Sequence, residues 1–333
     1  MSLLWAVVCL ATVLAVTSVG AAAESITVYS SVDEENARKI LNAFTEDTGV
    51  DVRFVFLSSG PALARIQAEA RNPQADVWLG APSENHVLAK ERGLTQPYVS
   101  PNAAVLADQF RDPEGYWHSF YMNPMGVAIN TQWLNRSGAS VPETWADLLK
   151  PEYRGQIQMP TPQSSGTAYN LVASLVLMWG EEDAFAYMKK LNANVQTYTQ
   201  SGTAPSQGVA LGQAGVAIQF TPAFLKLMDE GYPLQLVFPA EGVGYEAPAV
   251  SIIKGAPNLE GAKKLVDWLL SVEGQNVLSR EKTFFFPVHP EAETGEGLPS
   301  VSDIPLIEYD AIWAGQQRER LVNRWIDEVL RSN

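Results

Sequence analysis

The sequence predicts an α/β fold, and three observations lead there. Segments that read as strands alternate with segments that read as helices along the whole 333-residue chain, the pattern of sheets covered by helices. Residues 25–56 read as strand, turn, helix, turn, strand, and two strands around so short a helix make a right-handed βαβ unit on a parallel sheet. No internal repeat, coiled coil or low-complexity tract interrupts the alternation. Ligands of such sheets bind outside the carboxyl ends of the strands. In this unit those ends are Ser30-Ser31 and Ser58-Ser59-Gly60-Pro61.

Each element has a local reason. Residues 26–29 are a β-branched and aromatic run closed by Ser30 and Ser31. Ala37, Ile40, Leu41 and Phe44 fall at i, i+3, i+4 and i+7, one face of a helix, and Gly49 stands where a left-handed C-cap is expected. Val50, Val52, Phe54 and Phe56 alternate with Asp51, Arg53 and Val55, which makes a second strand. Pro61 at a first turn opens a helix over 62–71. A short apolar strand over 75–80 and a helix over 83–92, stopped by Gly93, complete the first part. A strand over 126–130 leaves it. Thr144 and Asp147 have capping-box spacing. Strands are then expected over 155–159, 216–220, 234–239 and 249–253. Helices are expected over 167–179, 181–191, 206–215, 223–230, 259–270 and 274–282. A long last helix lies within 307–330, with Ile312, Leu321, Trp325 and Val329 on its apolar face.

The length suits one large domain or two smaller ones, and a hydrophobic content of 46% is ample for their cores. The net charge of −14 favours neither nucleic acid nor an anionic membrane. The long apolar run lies at the start, within residues 3–23, and Ala21-Ala22-Ala23 fits a signal-peptidase site after residue 23. The basic residues usual at the start of such a leader are missing. The single cysteine, Cys9, falls inside the run, so the mature chain has no disulfide, zinc–thiolate site or cysteine nucleophile.

Three loops share one chemistry. Ser58-Ser59-Gly60, Ser164-Ser165-Gly166-Thr167 and Ser201-Gly202-Thr203 each place hydroxyls and a glycine ahead of a helix, with no Asp or Glu in the next four residues. Free N–H groups at a helix start, aligned with its dipole, bind anions. Serine and threonine are also good N-caps in their own right, so one such loop says little, whereas three from both halves of the chain point to an anion pocket. The first helix differs, because Asp33, Glu34 and Glu35 crowd its start; Ser30 and Ser31 are therefore expected at a neutral or cationic part of the ligand. Glu241, in the loop Glu241-Gly242-Val243-Gly244-Tyr245-Glu246, can accept from ligand hydroxyls or an ammonium. Enzyme signatures such as Gly-x-Ser-x-Gly, a Walker loop or His-Glu-x-x-His are absent. His86, His118 and His289 are scattered without metal-ligand spacing.

Several stretches together resemble the periplasmic solute-binding proteins of ABC importers, in their ferric-iron-binding-like branch. They are ITVYSSVDEENARKILNAFTEDTGV, ADVWLGAPSENHVLAKERGL, PETWADLLKPEYRGQI, SSGTAY and EGVGYEAPAVSIIKGAPNLEGAKKLVDWLLS, in an order that runs through nearly the whole chain. The resemblance implies a two-lobed type II binding-protein fold, each lobe a mixed sheet flanked by helices and joined by crossing hinge strands. It places one lobe in 24–124 with part of 250–285 returning to it, a second lobe in 125–249, and a C-terminal helical segment in 286–333. It implies a periplasmic, monomeric carrier with no cofactor and no catalytic residue, whose partners are a small solute and the permease and ATPase subunits of an importer.

Ferric members carry a tyrosine pair after the strand matching residues 216–220 and a histidine or tyrosine after the first strand; here those places hold Thr221-Pro222-Ala223 and Val32-Asp33-Glu34. Iron would then have to be held by Tyr169, Tyr198 and Tyr245. The EGVGYEAPAVSIIKGAPN stretch is more similar to members that bind phosphorylated or phosphonate solutes. There the resemblance implies an anion held by Ser59, Gly60, Ser165, Gly166, Thr167 and Thr203, with Ser30, Ser31, Thr221, Glu241 and Tyr245 setting specificity. A secreted hydrolase is the remaining alternative.

Overall fold

The computed structural model describes residues 25–331; the expected leader, with Cys9, lies outside them. The first part of the chain forms β1 (Ser25–Ser30), α1 (Glu34–Thr48), β2 (Asp51–Phe56), α2 (Ser59–Ala68), β3 (Val77–Pro82), α3 (Ser83–Glu91), β4 (Thr95–Gln96), β5 (His118–Ser119) and β6 (Tyr121–Asn130). The middle adds α4 (Thr131–Ser137), β7 (Ile157–Pro160), α5 (Gly166–Trp179), α6 (Glu181–Asn192), β8 (Val195–Thr199), α7 (Ala204–Ala210), β9 (Val216–Phe220), α8 (Pro222–Asp229) and β10 (Leu234–Val237). The chain closes with β11 (Tyr245–Glu246), β12 (Pro248–Ile253), α9 (Leu259–Leu269), α10 (Val272–Arg280), β13 (Phe286–Pro287) and α11 (Ala311–Trp325), which runs on into a π-helical turn, Ile326–Leu330.

These elements build two mixed sheets. One has the order β2-β1-β3-β12-β4, with β5 also on β12; the other has the order β10-β6-β9-β7-β8. β1 runs parallel to β2 and β3, and β12 returns antiparallel to β3. In the second sheet β7 is parallel to β8 and β9, while β6 is antiparallel to β9 and β10. The connections between the lobes are strands. The first part of β6 pairs with β13 and β11, and its residues from Met125 onward join the second sheet. β11 then leads straight back through β12 into the first sheet. The result is two lobes, each a mixed sheet flanked by helices.

Local chemistry explains the first unit. Asp33 accepts from the Asn36 N–H at 3.1 Å and starts α1. Ala37, Ile40, Leu41 and Phe44 are buried, and Gly49 ends the helix at φ 72°, which an L side chain adopts only at a cost. The capping pair is reciprocal as expected: Asp147 N–H donates to Thr144 Oγ1, and Asp147 accepts from the Glu143 and Thr144 N–H groups. It opens a 3-10 turn rather than a long helix.

Three local readings need correction. β6 starts at Tyr121, not at residue 126. Pro124, which has no N–H, reads as a strand breaker, but pairing with β11 and β13 carries the strand through it. β8 was not expected; its half-exposed Val195–Thr199 is ordered by parallel pairing to β7. Ile312 is 51% exposed, so the buried face of α11 is Ala314, Leu321 and Trp325.

Candidate ligand site between the lobes

The carboxyl ends of β1, β2 and β3 form one edge of the first sheet. Ser30 is buried, and its hydroxyl donates to the Val32 carbonyl at 3.3 Å, so it holds the turn. Ser31 is half-exposed. Its N–H donates to Leu79 O at 2.7 Å, and its Oγ accepts from Trp78 Nε1 at 3.0 Å. At the end of β3, Gly80 and Ala81 are both left-handed, with φ 77° and 65°. A Cβ on Gly80 would meet the Val32 backbone N at 2.7 Å. His86 secures this turn: it stacks on Trp78, and its two ring nitrogens reach Gly80 O at 2.6 Å and Ser251 Oγ at 2.7 Å. Burial pushes the His86 pKa down to about 4, so the ring is neutral, with Nε2–H donating to the carbonyl and Nδ1 accepting from the serine. Ser59 and Gly60 begin α2, whose N-cap Ser58 makes no side-chain cap.

The matching edge of the second sheet is formed by the ends of β7, β8 and β9. Ser165 caps α5, accepting from the Ala168 N–H at 3.4 Å. The loop after β8 packs directly against it: a Cβ on Gly202 would lie 2.6 Å from Thr167 Oγ1 and 2.9 Å from Ser165 Oγ. Ser164 Oγ donates to Gln200 O at 2.8 Å, and Thr161 N–H to Thr199 O at 2.9 Å. Two of the three hydroxyl-rich loops therefore form one surface, with Thr203 exposed beside them and its hydroxyl 3.2 Å from Ser201 Oγ. The first turn of α5 carries no acid. A Cβ on Gly166 or Gly60 would meet nothing within 4 Å, so the space in front of both helix starts is open. Thr221, at the end of β9, is buried, donates its N–H to Pro124 O at 3.0 Å and leaves its hydroxyl without a partner.

The two edges face each other. Lys226 on α8 pairs with Glu35 on α1 at 2.9 Å, which sets the helix following Thr221 against the helix following Ser31.

Two sets of candidate residues make other contacts in this structure. Glu241 is engaged elsewhere: both of its carboxylate oxygens accept from the Trp145 N–H at 3.1 Å, while Trp145 Nε1 donates to Gly242 O. The carboxylate secures its own loop to the turn at residue 145. The three candidate iron tyrosines each have other partners. Tyr169 donates its hydroxyl to the Ala314 carbonyl, and Tyr198 donates to Asn192 and packs on Trp325. Tyr245 lies beside Phe110 and Tyr309, and burial pushes its phenol up to about 12. Burial likewise raises Tyr169 and Tyr198.

The sequence reading missed a buried to half-buried polar cluster. Glu84 on α3, Asn123 on β6, Glu246 on β11, and Tyr309 and Arg318 near the C-terminus belong to it. Asn123 Nδ2 donates to Glu246 Oε1 at 2.7 Å, and burial, reinforced by the Glu84 charge, pushes Glu246 up to about 8. Burial also raises Glu84 against the pull of Arg318. The carboxyl-edge rule applied to β3 would have found Glu84, two residues beyond Pro82; nothing local marks Arg318. Among the described residues no group of three His, Cys, Asp or Glu could hold a metal ion, and no helix is long and apolar enough to cross a membrane.

Comparison with known proteins sets this geometry in context. The family model described as bacterial extracellular solute-binding protein matches residues 72–313. The periplasmic binding protein AfuA from Actinobacillus pleuropneumoniae, solved with fructose-6-phosphate bound, superimposes with a TM-score of 0.87 at 36% identity, covering 93% of this chain and 100% of AfuA. A Salmonella typhimurium periplasmic protein named for 2-aminoethylphosphonate binding is 28% identical over 85% of this chain and 84% of its own. Iron uptake protein A1 of Synechocystis is 29% identical over 80% of this chain and 76% of its own.

Proposed function

This chain belongs to the bacterial extracellular solute-binding protein family, and from that premise we propose that it captures a small organic phosphate or phosphonate in the cleft between its lobes. Members of this family bind small solutes outside the cytoplasm and work with the permease and ATPase components of ABC importers. The observation that carries the ligand class is the surface made by Ser165, Gly166, Thr167 and the loop after β8. It offers hydroxyls and free helix-start N–H groups, no carboxylate, and open space in front of Gly166. A phosphoryl group there accepts charge-assisted hydrogen bonds, each contributing about 1.5–3 kcal/mol. Ser31, Ser59 and Gly60 contribute from the opposite lobe, and Thr221 and Tyr245 wall the space between them. Hinge motion about β6 and β11–β12 closes the lobes on the solute. The protein acts as a carrier, with no step of bond making or breaking.

A thermal-shift screen tests this reading. Phosphonates, sugar phosphates, glycerol phosphate, inorganic phosphate and ferric citrate are added at rising concentration, because a ligand of the folded state raises Tm once it exceeds its Kd. The expected result is a shift with phosphonates or phosphate esters. A shift with ferric iron alone would overturn the reading and return the site to phenol ligands. Turnover of an ester would make the protein a hydrolase.

A further inference from the structure

We propose that the C-terminal helix α11 is a strap between the lobes, and that Glu84 of the first lobe and Arg318 on the strap join as an ion pair that latches the lobes when they close. The latch is separate from the ligand class and serves any solute that draws the lobes together.

α11 is fastened to the second lobe. Its Ala314 carbonyl accepts from the Tyr169 hydroxyl on α5. Arg320 donates to both carboxylate oxygens of Glu181 on α6 at 2.6 and 2.8 Å, and Arg324 reaches Glu181 at 2.7 Å and Glu182 at 2.9 Å. The same helix packs on α3 of the first lobe. The approach is close at Gly315, where a Cβ would lie 3.3 Å from both the Cβ and the carbonyl oxygen of Glu84. α11 therefore bridges the two bodies that the crossing strands also join, and a change in lobe angle must alter this contact.

Alongside the contact, the two helices leave a cavity of about 510 Å³. The first lobe lines it with Glu84, Val87 and Leu88 of α3, and the second with Gln163 before α5 and with Arg318 and Val322 of α11. Its walls belong to different lobes, so bringing the carboxyl ends of β3 and β7 together narrows it. Glu84 is 3% exposed, and its Oε1 has no hydrogen-bond partner. Arg318 lies over the Tyr169 ring at 4.7 Å, and its Nη1 is buried without a partner as well. The Arg318 charge already reaches Glu84 and opposes the effect of its burial. A carboxylate and a guanidinium shut away from water are costly apart, and their shapes match when they meet. Pairing across the narrowed cavity satisfies both at once. Because it does so in one lobe arrangement and not the other, it shifts the balance between them.

The experiment replaces the ion pair by a reversible covalent one. Cys9 is the single cysteine of the chain, so in a Cys9→Ser background Glu84→Cys and Arg318→Cys can form a disulfide only with each other. Small-angle X-ray scattering reads the lobe arrangement without any solute. Oxidation is expected to join the two positions and to lower the radius of gyration, and dithiothreitol to restore it. A second variant acts on the strap from outside the pair: Gly315→Val wedges α11 away from α3 and is expected to raise the radius of gyration. It decides the matter on its own if the doubly substituted chain does not fold. Failure of the folded double variant to crosslink, a crosslink that leaves the radius unchanged, or an unchanged radius in Gly315→Val would overturn the proposal. No solute enters either readout, so these outcomes leave the reading of the ligand class where it stands.

Discussion

Glu241 and Gly166 show how differently a loop residue and its neighbours can be used. The Glu241 side chain was expected at the ligand, and both of its oxygens accept from the Trp145 N–H. Glu241→Ala should therefore lower stability by about 1 kcal/mol, the cost of a lost cap, and leave solute affinity unchanged; denaturant melts and titrations read the two effects separately. That partner could not be read from the sequence, because Trp145 is far away in the chain and no local pattern joins them. The serine loops were legible, since hydroxyls, glycine and an acid-free helix start are local features. What was not legible is that Gly202 packs on Thr167 and Ser165, which makes one surface out of two loops. Gly202 is needed for that contact; Gly166 is needed by nothing in the protein itself.

At the scale of elements, β3 and α3 are the parts whose role came from tertiary structure. The sequence marked the strand and the helix correctly, but not the left-handed turn at Gly80 and Ala81 that joins them, nor the histidine that fastens it. His86 bonds Gly80 O and Ser251 Oγ as a neutral ring, and burial holds its pKa at about 4 against an ordinary 6.5. The unfolded chain therefore takes up this proton first as pH falls. The His86 contribution is fully present above pH 6.5 and is lost between pH 6.5 and about 4. A shift of that size corresponds to about 3 kcal/mol. In His86→Gln the fall of Tm across that window should be shallower than in the wild type, and equal slopes would remove His86 as the cause. β6 teaches the same lesson in reverse: Pro124 hid the strand locally, and pairing with β11 and β13 restored it.

At the scale of the whole molecule, two lobes meet across a cleft and are tied at its rim. Lys226–Glu35 spans 2.9 Å between α8 and α1, and Lys282–Asp229 spans 3.4 Å between the turn after α10 and the end of α8. All four side chains are about half exposed or more, so each pair contributes at most about 1 kcal/mol and is screened by salt. Lys226→Ala should speed solute release by no more than about fivefold, the equivalent of that energy, and added salt should reproduce the effect on the wild type in stopped-flow dissociation. A release rate unaffected by either would mean that the pair does not hold the lobes closed. The central claim concerns the surface at the start of α5, and the most direct measurement is titration of wild type and Gly166→Ala with the bound phosphate or phosphonate and with ferric citrate. A methyl group at Gly166 meets no protein atom within 4 Å, so Tm should hold or rise slightly. The methyl does occupy the space assigned to the anion, so affinity should fall by about tenfold or more, the effect of one lost charge-assisted hydrogen bond. Unchanged affinity in Gly166→Ala, or binding of ferric iron alone, would contradict the account.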